Sequence, residues 1–451
     1  MCYFRKAIPF LFVVALLAFM GNVAPSLAQS VRPPNVLLIL SDDQGTLDLN
    51  IYRSNDLYTP NIDALARRGT RFTQFYVAAP VCSPSRAALL TGRVPQRAGV
   101  PGNVGLTAVG LPPEQITIAE MLKQAGYRTG IIGKWHLGHV IKDGPLDQGF
   151  EYFFGHKRGC IDNYSHFFYW NGPNEHDLWR NQHEVYEDGS HFSDLMVRET
   201  KEFLANNREQ PFFLYLPFNI PHYPLQGKEK WRNLYKDRPS PRRHYAALVS
   251  TLDEQVGAVL STLDDYGLRE NTLVIFLSDH GHSTEERAMF GGGNAGPYRG
   301  AKFSLLEGGI RVPAVISLPG VIPENAVRDQ MAVSVDFLPT IAELTDAKLP
   351  AYKIDGASLM PVIRSAEAPS PHRVFHWQQR DQWAVREGDW KLVVNGLDTD
   401  GSPLEGAEKI FLSDLSKDAT ERVNLAATHP EIVERLMEMH EGFEANVRPA
   451  R

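Results

Sequence analysis

Asn35-Val36-Leu37-Leu38-Ile39-Leu40-Ser41-Asp42-Asp43 runs apolar without interruption from Val36 to Leu40 and then ends abruptly in polar and acidic residues. A strand with one wet face alternates apolar and polar side chains. An unbroken apolar run predicts a strand covered by helices on both faces, as in a parallel sheet. The pattern recurs: 129–132 leads into Gly133-Lys134-Trp135-His136, 212–218 into Pro221-His222, and 273–277 into Ser278-Asp279-His280. Helical periodicity at 60–69, 84–92, 117–126, 193–207 and 242–266 separates these runs, so strands alternate with helices. The expected fold is α/β, a large mainly parallel sheet flanked by helices. In such sheets ligands collect beyond the carboxyl ends of the strands, where all four runs here place polar residues.

The chain of 451 residues is 43% hydrophobic and 10% aromatic, ordinary for a globular protein and long enough for a large domain with a smaller one attached. Arg5 and Lys6, an apolar stretch over 7–20, and Ser26-Leu27-Ala28 fit a removable secretion signal over 1–28. The apolar run is shorter than the ~20 residues of a spanning helix, so the expectation is export to the periplasm or medium without a membrane span. Residues 29–345 then form the main domain. The Pro-, Ala- and Ser-rich stretch 346–371 reads as a linker, and 372–451 as a small α+β unit with short strands at 373–377, 382–387, 389–395 and 409–412 before a helix at 430–445. Removing residues 1–28 takes two cations and no acid, changing the formal charge from −7 to −9. That argues against nucleic acid as a partner and requires any positive charge for an anionic substrate to be local.

Cys2 leaves with the signal, and Cys82 and Cys160 remain in a chain bound for an oxidising compartment, where a disulfide is the plain expectation. The surroundings of Cys82 favour chemistry instead. Cys82-Ser83-Pro84-Ser85-Arg86, continued by Leu90-Thr91-Gly92-Arg93, resembles the Cys-x-Pro-x-Arg signature of the type I sulfatases, in which the cysteine is oxidised to Cα-formylglycine by a maturation enzyme. The resemblance implies an alkaline-phosphatase-like fold and sulfate-ester hydrolysis. A thiol would be trapped as its sulfate ester, whereas a hydrated aldehyde attacks with one hydroxyl and expels sulfate when the other loses its proton. Arg86, one helical turn on, is expected to hold the diol and balance its charge.

The resemblance also implies a metal site from Asp42, Asp43, Asp279 and His280, with residue 82 as a further ligand. Hard oxygen donors point to one Ca²⁺; His280, where asparagine is commoner, is softer. Lys134 and His136 match a Lys-x-His element, the lysine for the sulfate and the histidine for the diol. His222 matches a His-Tyr-Pro element and is assigned as the acid for the leaving alcohol, and Lys302 matches a second sulfate-binding lysine.

For the substrate, the mixed aromatic and polar stretch 156–170 offers His156, Arg158, Asp162 and Asn163, with Arg299 and Trp377 from elsewhere; a packed insertion explains the stretch equally well. With export, this composition suggests a sulfated carbohydrate, of galactose or N-acetylgalactosamine type. Two alternatives stay open: a phosphate or phosphonate ester hydrolase of the same superfamily, and a non-catalytic binder of sulfated glycans if Cys82 remains a thiol.

Overall fold

The computed structural model describes residues 1–4, 32–105, 109–139, 143–170 and 174–447; residues 5–28 of the expected signal lie outside them. The described residues from 33 to 447 form one compact unit. Its centre is a ten-stranded sheet in the spatial order Ala326–Arg328, Thr70–Phe72, Ala314–Ser317, Thr272–Ser278, Asn35–Asp42, Phe212–Pro221, Arg128–Lys134, Tyr152–His156, Trp179–Arg180, His183–Glu184. The five strands from Thr272–Ser278 to Tyr152–His156 pair in parallel, and antiparallel pairs flank them on both sides. Leu37 lies between Leu214 and Val274 in this register.

The unbroken apolar runs have the predicted cause. Val36, Leu38 and Leu40 point into one core with residues of the helices Cys82–Thr91, Ile118–Gln124 and Phe337–Thr345. Leu37 and Ile39 point into a second core with Pro60–Arg67, Phe192–Asn206 and Arg242–Asp265. Both faces are dry, so alternation is absent.

The small C-terminal unit is an antiparallel sheet, Val374–Gln379, Gln382–Glu387, Trp390–Val394 and Ile410–Asp414, with the helix Pro430–Val447. Phe375, Trp377, Ala384, Val393 and Phe411 on one face complete the first main core. Val385, Leu392 and Leu412 on the other pack with Ile432 and Leu436 of the helix. The stretch expected as a linker is packed: it carries a short helix, Met360–Arg364, and buries Leu359, Met360, Val362 and Ile363. Pro and Ser there mark turns rather than a solvated crossing. No helix among the described residues is long and apolar enough to cross a membrane.

Candidate active site

Four parallel strands and one helix deliver the chemistry-bearing residues to the carboxyl edge of the sheet. Asp42 ends the first strand, Lys134 ends Arg128–Lys134, His222 follows Phe212–Pro221, and Asp279 and His280 follow Thr272–Ser278. The helix expected from residue 84 begins at Cys82, with Val81 extended as its N-cap. Ser83 therefore sits in the first turn rather than at the cap; its N–H donates to Asn103 Oδ1 (3.1 Å), and its Oγ accepts from the N–H of Val104 (3.0 Å). The earlier start puts Cys82 at the positive end of the helix, where developing negative charge is favoured.

Cys82 and Cys160 are both free thiols and line the same cavity of about 200 Å³, with His136, His222 and Lys302 around it. Cys82 Sγ is 3.2 Å from His280 Nε2, 3.5 Å from Lys134 Nζ and 3.7 Å from Asp42 Oδ1. Lys134 donates to Asp42 Oδ2 at 2.7 Å with its side chain wholly buried. Although burial works against ionisation, Lys134 and Arg86 hold the Asp42 carboxyl well below its usual range. Arg86 donates to Asp279 Oδ2 (2.8 Å), contacts Asp42 Oδ1 (3.3 Å) and caps the Lys134 carbonyl (3.2 Å). These bonds make it a clamp on two carboxylates beside residue 82.

The residues fit a divalent cation. Donor atoms of Asp42, Cys82, Asp279 and His280 lie within 4.8 Å of one another, all buried. Asp43 Oδ1 has no hydrogen-bond partner among the described residues and faces His280 Nε2 at 3.3 Å. Burial, joined by the Asp42 and Asp279 charges, raises the Asp43 carboxyl to about 6 in spite of Lys302 and His280. Against the cost of burial, Asp279, Cys82 and Asp43 raise His280 to about 10, so this point of the site demands positive charge. His280 Nδ1 is engaged with the Gly281 carbonyl (2.9 Å), which aims Nε2 at the cluster.

Across the cavity, Lys302 Nζ lies 3.2 Å from Asp43 Oδ2 and 3.0 Å from Glu285 Oε2. Glu285 also accepts from the Tyr223 hydroxyl (3.1 Å). No motif marks Glu285, which sits in a loop and is revealed only by its approach to Lys302. His222 Nδ1 is 2.7 Å from the Tyr223 carbonyl, leaving Nε2 toward the cavity and 3.7 Å from Asp43 Oδ2. Burial and the Lys302 charge hold its imidazole well below the usual value. His136 is likewise lowered by burial and Lys134, and adopts φ 55°. A Cβ on Gly159 would fall 2.7 Å from the His136 ring, so only glycine lets that loop cover it.

Of the residues suggested for the substrate, Arg158 lines the cavity, resting over Phe168 and paired with Glu175. The others do not line this cavity. His156 is wholly buried, its Nδ1 on the Arg158 carbonyl. Asp162 accepts from Tyr164, Ser165 and Gln226, while Asn163 bonds Asn219 and the Pro224 carbonyl; both hold loops. Arg299 is spent on Asp398 and Glu408. Trp377 is a core residue whose Nε1 donates to the Val77 carbonyl. Phe168 and Trp170, within the same stretch, do reach the cavity, as do Lys157 and Asn103.

Comparison with known proteins agrees with this arrangement. The Sulfatase family model matches residues 34–347, and the model of the N-sulphoglucosamine sulphohydrolase C-terminal region matches 300–446. The chain belongs to the sulfatase family and is a sulfuric ester hydrolase. It is 36% identical to Homo sapiens arylsulfatase A, over 90% of this chain and 87% of that protein. It is 34% identical to the Canis lupus familiaris N-acetylgalactosamine-6-sulfatase, over 83% and 74%. A solved structure of Ps i-CgsB in complex with k-i-k-neocarrahexaose superposes with a TM-score of 0.83 at 28% identity, covering 92% of this chain and 94% of that one.

Proposed function

We propose that this protein is an exported sulfatase that removes sulfate from a sulfated carbohydrate of galactose or N-acetylgalactosamine type, using formylglycine made from Cys82. The observation that carries the reading is the setting of Cys82. It lies at the end of a cavity, 2% exposed, between a buried lysine, a carboxylate and a histidine, with Lys302 and His222 lining the same space. The relatives' names, one an N-acetylgalactosamine-6-sulfatase, support the sugar class, as does an aromatic wall of Phe168 and Trp170.

The hydrated aldehyde supplies a nucleophilic hydroxyl and a second hydroxyl whose deprotonation releases sulfate. A cation held by Asp42, Asp43, Asp279 and His280, Ca²⁺ by its oxygen donors, supplies positive charge beside residue 82. Lys134 and Lys302 remain charged, because their carboxylate partners outweigh burial. They flank the position of the sulfate oxygens, where charge grows as the ester bond breaks. Arg86 helps to keep the Asp42 carboxyl ionised and orients both the Asp42 and the Asp279 carboxylates. His222 is neutral in the free site; an anionic ester beside it favours its proton, which passes to the leaving alcohol as the S–O bond opens. His136 is neutral and unpaired at Nδ1 among the described residues, suited to take the proton that frees sulfate.

The test is the mass of the Cys82 peptide from protein purified from its natural host. Replacement of H₂S by oxygen is expected, together with release of inorganic sulfate from sulfated galactose or N-acetylgalactosamine glycans. An unmodified thiol, or faster turnover of matched phosphate esters, would overturn the reading.

A further inference from the structure

A second group of metal-binding side chains lies in the insertion that forms the cavity wall. A ring nitrogen of His166, one of His176 and a carboxylate oxygen of Asp188 lie within 4.8 Å of one another. His166 is wholly buried and the His176 side chain is 5% exposed. Each imidazole is oriented through one nitrogen: His166 Nε2 lies 3.1 Å from the Ser190 carbonyl and His176 Nδ1 lies 2.9 Å from Glu184 Oε1. The remaining nitrogens, His166 Nδ1 and His176 Nε2, are buried and have no hydrogen-bond partner among the described residues. Leaving two such nitrogens unpaired is costly unless something binds them.

The geometry points to a divalent transition-metal site, Zn²⁺ by its donor set, built from His166 Nδ1, His176 Nε2 and Asp188, with water in the fourth position. Two imidazoles and a carboxylate suit Zn²⁺, and a carboxylate or carbonyl on the far nitrogen is the usual support of a ligating histidine. Bonds of about 2.0–2.1 Å place tetrahedral donors about 3.3 Å apart, so the group closes on an ion by about 1.5 Å or less, a movement that the exposed Asp188 side chain can make. The His176 ring is fixed further by stacking on Tyr186, centroids 4.4 Å apart.

The site would staple part of the substrate wall. His176 pairs across a two-stranded ladder with Phe167, and Glu175 with Phe168; Phe168 lines the catalytic cavity, and Glu175 holds Arg158. Metal here would fix that wall without touching the reacting atoms.

The mature chain, freed of transition metal and kept in Ca²⁺, is titrated with Co²⁺ alone and then with Zn²⁺, following bound metal and the visible absorption of four-coordinate cobalt. One equivalent of cobalt, displaced by zinc, is expected in the parent. Asp188→Asn, altered at an exposed position, should bind at least about tenfold more weakly, and Glu184→Gln about 10–100-fold more weakly through His176. His176→Gln should lose the band. No four-coordinate cobalt in the parent, or equal binding by parent and all three variants, overturns the site. The readout is metal content, so it is independent of catalysis.

Discussion

Replacing Lys302 with methionine tests the electrostatic reading of the cavity most directly. The side chain is 4% exposed, and its ammonium lies 3.2 Å from Asp43 and 3.0 Å from Glu285, so it is fixed before substrate arrives. Removing one preorganised donor from a developing oxyanion costs about 100–1,000-fold in kcat, or about 2.7–4 kcal/mol. Coulomb's law gives a similar figure, about 4 kcal/mol for unit charges about 4 Å apart at an effective dielectric constant of about 20. Lys302→Met also strips a partner from Asp43 and should cost about 1–3 kcal/mol of stability, so kcat is compared at a temperature where both proteins are folded. The assay is initial-rate hydrolysis of a small aryl sulfate. Lys157→Met is the control: Lys157 lines the same cavity, but its ammonium sits 3.6 Å over the Trp179 ring. Its loss should change kcat by no more than about fivefold. A Lys302→Met enzyme retaining more than about one-tenth of the parental kcat would refute the assignment of Lys302 to charge stabilisation.

Other outcomes are equally specific. Asp43→Asn should lower the bound cation measured by atomic emission, and undiminished occupancy would remove Asp43 from the site. His222→Ala should slow alkyl or sugar sulfates more than activated aryl sulfates, because only poor leaving groups need the acid; an equal loss on both would count against that role. Lys391, fully buried between Glu307 (2.9 Å) and Glu421 (3.0 Å), ties the small sheet to the main unit. Lys391→Met should cost about 3–5 kcal/mol in urea unfolding, and a loss below about 1 kcal/mol would show that the pair is not needed. Burial outweighs Lys391 and lifts Glu421 to about 7, from an ordinary 4.5. A raised folded value favours folding at low pH, so this group's contribution declines between about pH 5 and pH 8, by about 3 kcal/mol at most. Glu421→Gln should flatten that dependence, and an unchanged slope would contradict the assignment.

Sequence alone determined the central sheet, because a strand dry on both faces must be an unbroken apolar run, and Val36 to Leu40 is one. It also determined which chemistry to look for, since Cys82-x-Pro84-x-Arg86 combines a modifiable thiol with a nearby cation. Tertiary structure decided what those residues touch. The Arg86 guanidinium spans Asp42 and Asp279, which are 237 residues apart in sequence, a contact that no local spacing reveals. The stretch 156–170 shows the same limit: aromatic and polar side chains serve equally as cavity wall or packed loop, and only the folded path of the chain turns Arg158 and Phe168 to the cavity and His156 and Asn163 away from it. Buried charges are the hardest to foresee. Glu307 and Lys391 have the composition of a solvated surface, and their meaning arises only when folding removes water and leaves each dependent on a partner far along the chain.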